Sequence, residues 1–165
     1  MYNSGNKGKN RFVLFNIEEI QYALYLYSVI KVIRSVNITP LPKAPDVVMG
    51  IINFHGEIIP VIDIRKLFNL PLKEIGLEDR FIIVKTSYRT IALFVDTVEE
   101  VLEVKEDNIK DIEELLPSAD YLSGVAKIRN NIILISDIEK LLSINEQQSI
   151  DNALQKLNYE TEHFK

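Results

Sequence analysis

The stretch Gly50–Phe68, GIINFHGEIIPVIDIRKLF, decides the reading of the fold. Two apolar runs, rich in β-branched isoleucine and valine, flank His55-Gly56. Such a dipeptide suits a tight hairpin because glycine accepts positive φ. The second run closes on Asp63, which stands as a helix N-cap ahead of Ile64-Arg-Lys-Leu-Phe68. The same pattern returns at Gly124–Leu142, GVAKIRNNIILISDIEKLL, at an offset of 74, with 7 of 19 positions identical. The identities include the glycine, the Ile-Ile pair and Asp-Ile-x-Lys-Leu, and Asp137 falls where Asp63 does. Arg129-Asn130 takes the hairpin tip, where asparagine also tolerates left-handed geometry.

Outward from these blocks, Phe12–Ile33 overlays Phe81–Leu102 without gaps at an offset of 69, with identities that include Ala23/Ala92, Val29/Val98 and Val32/Val101. Phe12–Ile17, Gln21–Tyr27 and Val29–Val36 read as strands. The three prolines of Thr39-Pro-Leu-Pro-Lys-Ala-Pro45 forbid regular helix or central strand, so this is a stiff connector leading to a helical turn at Asp46–Met49. Asn69–Asp79, with Pro71 and Gly76, reads as a linker. Two blocks repeated in the same order make the chain an internal duplication of one small β unit of about five strands. The predicted fold is mainly β: two five-stranded barrels, residues 11–70 and 80–145, interlocked, with short helices. Residues 1–10, polar and glycine-bearing, are predicted to form a disordered tail. In residues 146–165, Ile150, Ala153, Leu154 and Leu157 recur at helical spacing and predict an amphipathic helix packed on a barrel.

Composition narrows the function. Twenty-four of 165 residues are isoleucine, which fits a sheet-rich core. The formal net charge of −5 argues against nucleic acid or an anionic membrane as the main partner. Without cysteine there is no disulfide framework, thiolate nucleophile or cysteine zinc site. No apolar run approaches the ~20 residues of a membrane span, and Met1–Asn10 lacks the apolar stretch of a signal peptide, so the expectation is a cytoplasmic protein. The two histidines, His55 and His163, lack metal-ligand spacing, and no phosphate-cradling or nucleophile-elbow motif occurs, so neither metal nor cofactor is expected. Asp63 and Asp137 could be taken as a catalytic carboxylate pair, but helix capping is the stronger reading, since duplication would copy a local cap twice. The acidic run Asp96, Glu99, Glu100, Glu103, Glu106 and Asp107 reads as a solvated face without the spacing of a calcium loop. The chain is therefore read as non-catalytic, and binding surface remains. Tyr22, Tyr25 and Tyr27 put rings on both faces of one strand, which fits core on one side and a protein interface on the other. The duplicated valines Val29, Val32, Val98 and Val101 are core for at least half of their number, or together line an apolar groove between the two units. A small-ligand site in an inter-barrel cleft is the alternative from another class.

Gly50-x-Ile-Asn-x-x-Gly56-x-Ile-x-Pro60-Val-Ile-Asp63-x-Arg65 resembles the central motif of the CheW family of chemotaxis coupling proteins. The second half adds Ala92-x-x-Val95-Asp96-x-Val98-x-x-Val101, Tyr121-Leu-x-Gly124 and Asp137-Ile-Glu-Lys-Leu-Leu142, so the likeness covers residues 11 to about 145. The resemblance implies two SH3-like five-stranded barrels and an adaptor between chemoreceptor cytoplasmic tips and the regulatory domain of the histidine kinase CheA, placed at membrane-bound receptor arrays. It implies a receptor groove formed here by Val29, Lys31, Val32, Gly50, His55, Val98 and Val101, with Gly56 and Asn130 serving the hairpin turns. Two positions depart from the family pattern. Lys31 stands where glutamate is common, and His55 where arginine is, so the usual ion pair beside the groove cannot form. The departure leaves open a scaffold of a different chemosensory pathway.

Overall fold

The computed structural model describes residues 9–112 and 121–163, and within them the chain forms eleven strands and two α-helices. In order these are β1 (Lys9–Ile17), β2 (Ile20–Tyr25), β3 (Val29–Arg34), β4 (Val48–Phe54), β5 (Glu57–Asp63), α1 (Ile64–Leu67), β6 (Arg80–Lys85), β7 (Thr90–Val95), β8 (Thr97–Lys105), β9 (Ile109–Lys110), β10 (Leu122–Ile128), β11 (Asn131–Ser136) and α2 (Ile144–His163). The tail expected over residues 1–10 falls largely outside the described residues, but Lys9 and Asn10 already belong to β1. The helical turn expected at Asp46–Met49 is replaced by a tight turn in which Val48 N donates to Pro45 O at 2.9 Å, and β4 starts at Val48.

The strands form two sheets, one of five in the order β3-β6-β7-β5-β4 and one of six in the order β8-β1-β2-β11-β10-β9. Under the 69 and 74 offsets, β3, β6, β7, β5 and β4 correspond to β8, β1, β2, β11 and β10, so the duplication relates one sheet to the other strand by strand. The registers agree as well. Gly50 lies opposite Val61 and Gly124 opposite Ile135, each next to an irregularity in the ladder. The parallel contacts Val61–Ala92 and Ile135–Ala23 also correspond. Within each sheet, however, strands come from both halves of the chain. Hairpin β1–β2 pairs with β8 and β11, so the sheets do not follow the contiguous division at residues 11–70 and 80–145.

The reason lies in burial. On β1, Phe12 and Leu14 point into the interior of the six-stranded barrel with Ala126 and Ile135, while Phe15 and Ile17 join a second cluster with Ile62, Leu93 and Ile138. On β6, Phe81 and Ile83 face the five-stranded interior, and Ile82 and Val84 face that same shared cluster. These strands read as continuous apolar runs because both of their faces are covered, one by a barrel and one by the seam between barrels. The shared cluster holds sixteen buried side chains among the described residues, against seven in each barrel interior, and this binds the two barrels into one packing unit.

Helix α2 closes the structure. Ser143 Oγ accepts from Glu146 N at 3.1 Å while Glu146 Oε1 accepts from Ser143 N at 2.9 Å, a reciprocal capping box that starts the helix. Ile150 and Ala153 are buried and Leu154 and Leu157 half-buried, on the face the periodicity predicts. That face covers the shared cluster and the proline connector at Leu41. Arg89, from the β6–β7 turn, pairs with Asp151 and fixes the helix from outside.

Tyr22, buried in the shared cluster and stacked near Phe15 and Phe68, carries a pH signature. Burial, then the neighbouring Tyr121, pushes its phenol up from 10.0 to about 12. Above about pH 10 the unfolded chain loses this proton before the folded one does, so stability present below pH 10 is lost as pH rises towards 12. Urea unfolding of Tyr22→Phe should lack roughly 2 kcal/mol of that alkaline loss. Equal alkaline loss in both proteins would contradict the assignment.

Candidate functional site

Strands β3 and β8 occupy equivalent edges of the two sheets, each beside a bulge at the same place in the repeat, at Val29–Lys31 and at Val98–Val101. Val29, Val32 and Val98 are half-buried against the shared cluster, whereas Val101 is 53% exposed. Val29, Val32 and Val98 thus border the seam between barrels, with one face packed and one open, and Val101 stands outside that packing. Lys31 is exposed on β3. His55 is exposed at the β4–β5 tip, its ring edge-on to Phe54 with centroids 4.3 Å apart.

The tip has φ of +50° at His55 and +85° at Gly56, and the β10–β11 tip has +52° at Arg129 and +66° at Asn130. Both are two-residue turns of the primed type that matches strand twist. Asn53 Oδ1 accepts from Gly56 N at 2.9 Å and steadies the first. Gly50 is fixed by the backbone that surrounds it. It is buried with φ of +152°, and a Cβ there would meet Ile38 and Thr39. Its role is to let the connector cross β4, where Thr39 and Ile51 exchange hydrogen bonds of 2.9 and 2.8 Å.

Asp63 Oδ1 accepts from Arg65 N at 3.1 Å at the start of α1, and Asp137 Oδ1 accepts from Glu139 N at 3.0 Å at the start of the equivalent 3-10 turn. Burial raises the Asp63 carboxyl pKa, opposed by the bond from Arg65 N and by the positive charges of Arg65 and Lys66. Around it lies a cluster that the sequence reading missed. Arg65 is fully buried, pairs with Asp96, lies 3.7 Å from Glu18 and stacks over Phe94 at 5.0 Å. Asp96, read as part of a solvated acidic run, is the single residue between β7 and β8, where the chain crosses from one sheet to the other. It accepts from Glu18 N at 2.8 Å and also faces Lys73 at 3.8 Å. A reciprocal difference in the repeat signals this cluster. Where the first copy has Arg65, the second has Glu139, and the residue equivalent to Asp96 is Tyr27.

The strand expected over Gln21–Tyr27 ends at Tyr25, and Tyr27 lies in a 3-10 turn over Leu26–Ser28, so the three tyrosines do not share one strand. Tyr22 is core, Tyr25 is half-buried against Phe12, and Tyr27 is 85% exposed. Two further exposed apolar residues are equivalent in the repeat, Ile58 at 44% and Ile132 at 65%, each just after a hairpin tip. Among the described residues no cluster of three histidine or carboxylate side chains forms a metal site, and no helix is long and apolar enough to cross a membrane.

Comparison with known proteins agrees with this geometry. The family described as CheW-like domain matches residues 11–146. The chemotaxis protein CheW of Bacillus subtilis is 30% identical over 147 residues, covering 87% of this chain and 93% of that protein. CheW of Treponema pallidum is 27% identical over 155 residues, 89% of this chain and 90% of that protein. The crystal structure of the scaffolding protein TtCheW from Thermoanaerobacter tengcongensis superposes with a TM-score of 0.77 at 32% identity, covering 83% of this chain and 94% of that one. With the duplicated pair of SH3-like barrels and a family match spanning nearly all of the strands, the chain belongs to the CheW-like domain family.

Proposed function

We propose that the protein is a non-catalytic adaptor that couples chemoreceptor cytoplasmic tips to the regulatory domain of the histidine kinase CheA. The observation that carries the reading is the duplicated distribution of exposed apolar side chains on a double barrel. Half-open valines lie along the β3 and β8 edges, and Ile58 and Ile132 stand beside the two hairpin tips. Two separate surfaces suit a bridge rather than an enzyme. The seam between barrels, bordered by Val29, Val32 and Val98, suits an amphipathic helical hairpin that lays apolar anchors into it, with Lys31 and His55 at its rim. The tips suit the end of a like barrel on the kinase, with one isoleucine anchor each. Lys31 and His55 in place of the usual ion pair point to a receptor whose contact surface differs in step.

Titration of the purified protein with the CheA regulatory domain of the source organism should give a dissociation constant of about 1 μM or tighter, about −8 kcal/mol. Ile58→Asp and Ile132→Asp each place a charge on an exposed position and should weaken that complex about 10-fold or more without unfolding the protein. No association with any CheA of the organism would overturn the reading, and so would full affinity in both variants.

A further inference from the structure

Beside the exposed tyrosine lies a cavity of about 230 Å³ that the scaffold reading does not use. Its walls include Tyr25, Tyr27, Ser123, Ser136, Asp137 and Glu139. Ser136 is 2% exposed, and its Oγ has no hydrogen-bond partner among the described residues. Among the described residues no cationic side chain lines the cavity.

The duplication identifies what belongs there. Under the two offsets, Tyr25, Tyr27, Asp137 and Glu139 correspond to Phe94, Asp96, Asp63 and Arg65. In the first copy the guanidinium of Arg65 fills the equivalent place, over the Phe94 ring and against Asp96, fully buried. In the second copy the arginine is replaced by Glu139, whose carboxylate turns away to accept from Ser87 N at 2.9 Å and from the Ser87 hydroxyl. The aromatic wall is kept as Tyr25 and the capping carboxylate as Asp137, while the cation is gone and its partner Asp96 is replaced by Tyr27. The surroundings are correspondingly anionic. After burial, the neighbours that raise the Tyr25 pKa are Tyr27, Asp137 and Glu106. A planar cation is the group that an aromatic face and carboxylates together accept best.

We propose that this cavity is a docking pocket for an arginine side chain of a partner protein, seated against the Tyr25–Tyr27 ring pair, whose centroids lie 5.3 Å apart, and the Asp137 carboxylate, much as Arg65 lies over Phe94 in the other barrel. The pocket is independent of which partner occupies the seam or the hairpin tips. An arginine there would register a partner against the six-stranded barrel, and the 85% exposure of Tyr27 leaves the entrance open.

The test is titration of the isotope-labelled full chain with N-acetyl-arginine amide, followed by amide NMR. Shifts should centre on Ser123, Ser136 and Asp137, and saturate at least about 10-fold earlier than with the neutral isostere N-acetyl-citrulline amide. Tyr27→Leu, at an exposed position, should weaken binding several-fold. Glu139→Arg should fill the pocket from within and abolish the response. Free L-arginine tests the other source of the same chemistry: a free amino acid held by its α-groups would bind more tightly than the capped probe. That result would overturn the side-chain assignment. Equal response to citrulline, shifts scattered over β8 instead of the pocket, undiminished binding by Tyr27→Leu, or no shift at any soluble concentration would each overturn the proposal.

Discussion

Gly50→Ala should cost the protein upwards of about 3 kcal/mol and leave it largely unfolded at modest urea, because two penalties fall on one atom. The backbone at Gly50 has φ of +152°, which L-residues rarely adopt. The added Cβ would also lie 3.0 Å from Thr39 C and closer still to Thr39 O and Ile38 Cγ2. Backbone cannot yield there without breaking the paired Thr39–Ile51 hydrogen bonds that seat the connector on β4. The duplication supplies an internal control. Gly124 is the equivalent residue, and a Cβ there would meet Ile109 Cγ2 at 2.9 Å and Lys110 O at 3.1 Å, without the positive φ. A side-chain methyl can shift, so Gly124→Ala should cost about 1–2 kcal/mol. Urea midpoints of the two variants measure the difference; equal midpoints would contradict the account. Since a domain of this size has on the order of 5–15 kcal/mol in total, the first substitution consumes a large fraction of it.

Arg65→Met is expected to destabilise by about 3 kcal/mol, not through lost packing but through the carboxylate it abandons. Asp96 would keep Lys73 at 3.8 Å and the bond from Glu18 N, but lose its buried partner. Asp96→Asn should cost a similar amount, because it strands a guanidinium that is fully buried and whose Nε and Nη1 have no hydrogen-bond partner among the described residues. The double variant Arg65→Met/Asp96→Asn should be more stable than the sum of the two losses predicts, by roughly 1–3 kcal/mol. The asparagine can still accept from Glu18 N, and no buried charge is left unpaired, since Glu18, which loses Arg65, is exposed. Additive losses in that cycle would show that the pair is not coupled. Because Asp96 is the crossover between sheets, the single variants should also loosen the seam between barrels, visible as faster amide exchange in β8 than in β6.

Much of this arrangement was legible in the chain, and the parts that were not have physical reasons. The two hairpin tips could be read because His55-Gly56 and Arg129-Asn130 must adopt positive φ, and few residue types do so cheaply. The face of α2 could be read because four apolar residues repeat at helical spacing. The exchange of β1 and β2 into the second sheet could not. Strands apolar on both faces carry no alternation, so periodicity says that they are buried but not beside which strand. Asp96 was hidden for a different reason. It opens a run of acids whose members Glu99, Glu100 and Glu103 are indeed exposed, and only its position at the sheet crossover sets it, half-buried, against Arg65. Of the groove residues, Val29, Val32 and Val98 do border the seam, Val101 is more open than its counterpart Val32, and Gly50 serves the backbone instead. Sequence alone gave no way to tell a glycine needed by a crossing chain from one kept clear for a partner.

Duplication followed by strand exchange gives a molecule with two like barrels, a seam between them and a hairpin tip on each. The proposed coupling requires that this layout hold different partners at once. The direct measurement is cosedimentation of the protein with a soluble receptor cytoplasmic hairpin and the CheA regulatory domain at saturating concentrations. The proposed adaptor should give a three-component species, with Val98→Glu removing only the receptor and Ile132→Asp weakening only the kinase. Displacement of one partner by the other, or loss of both partners from either single change, would contradict it.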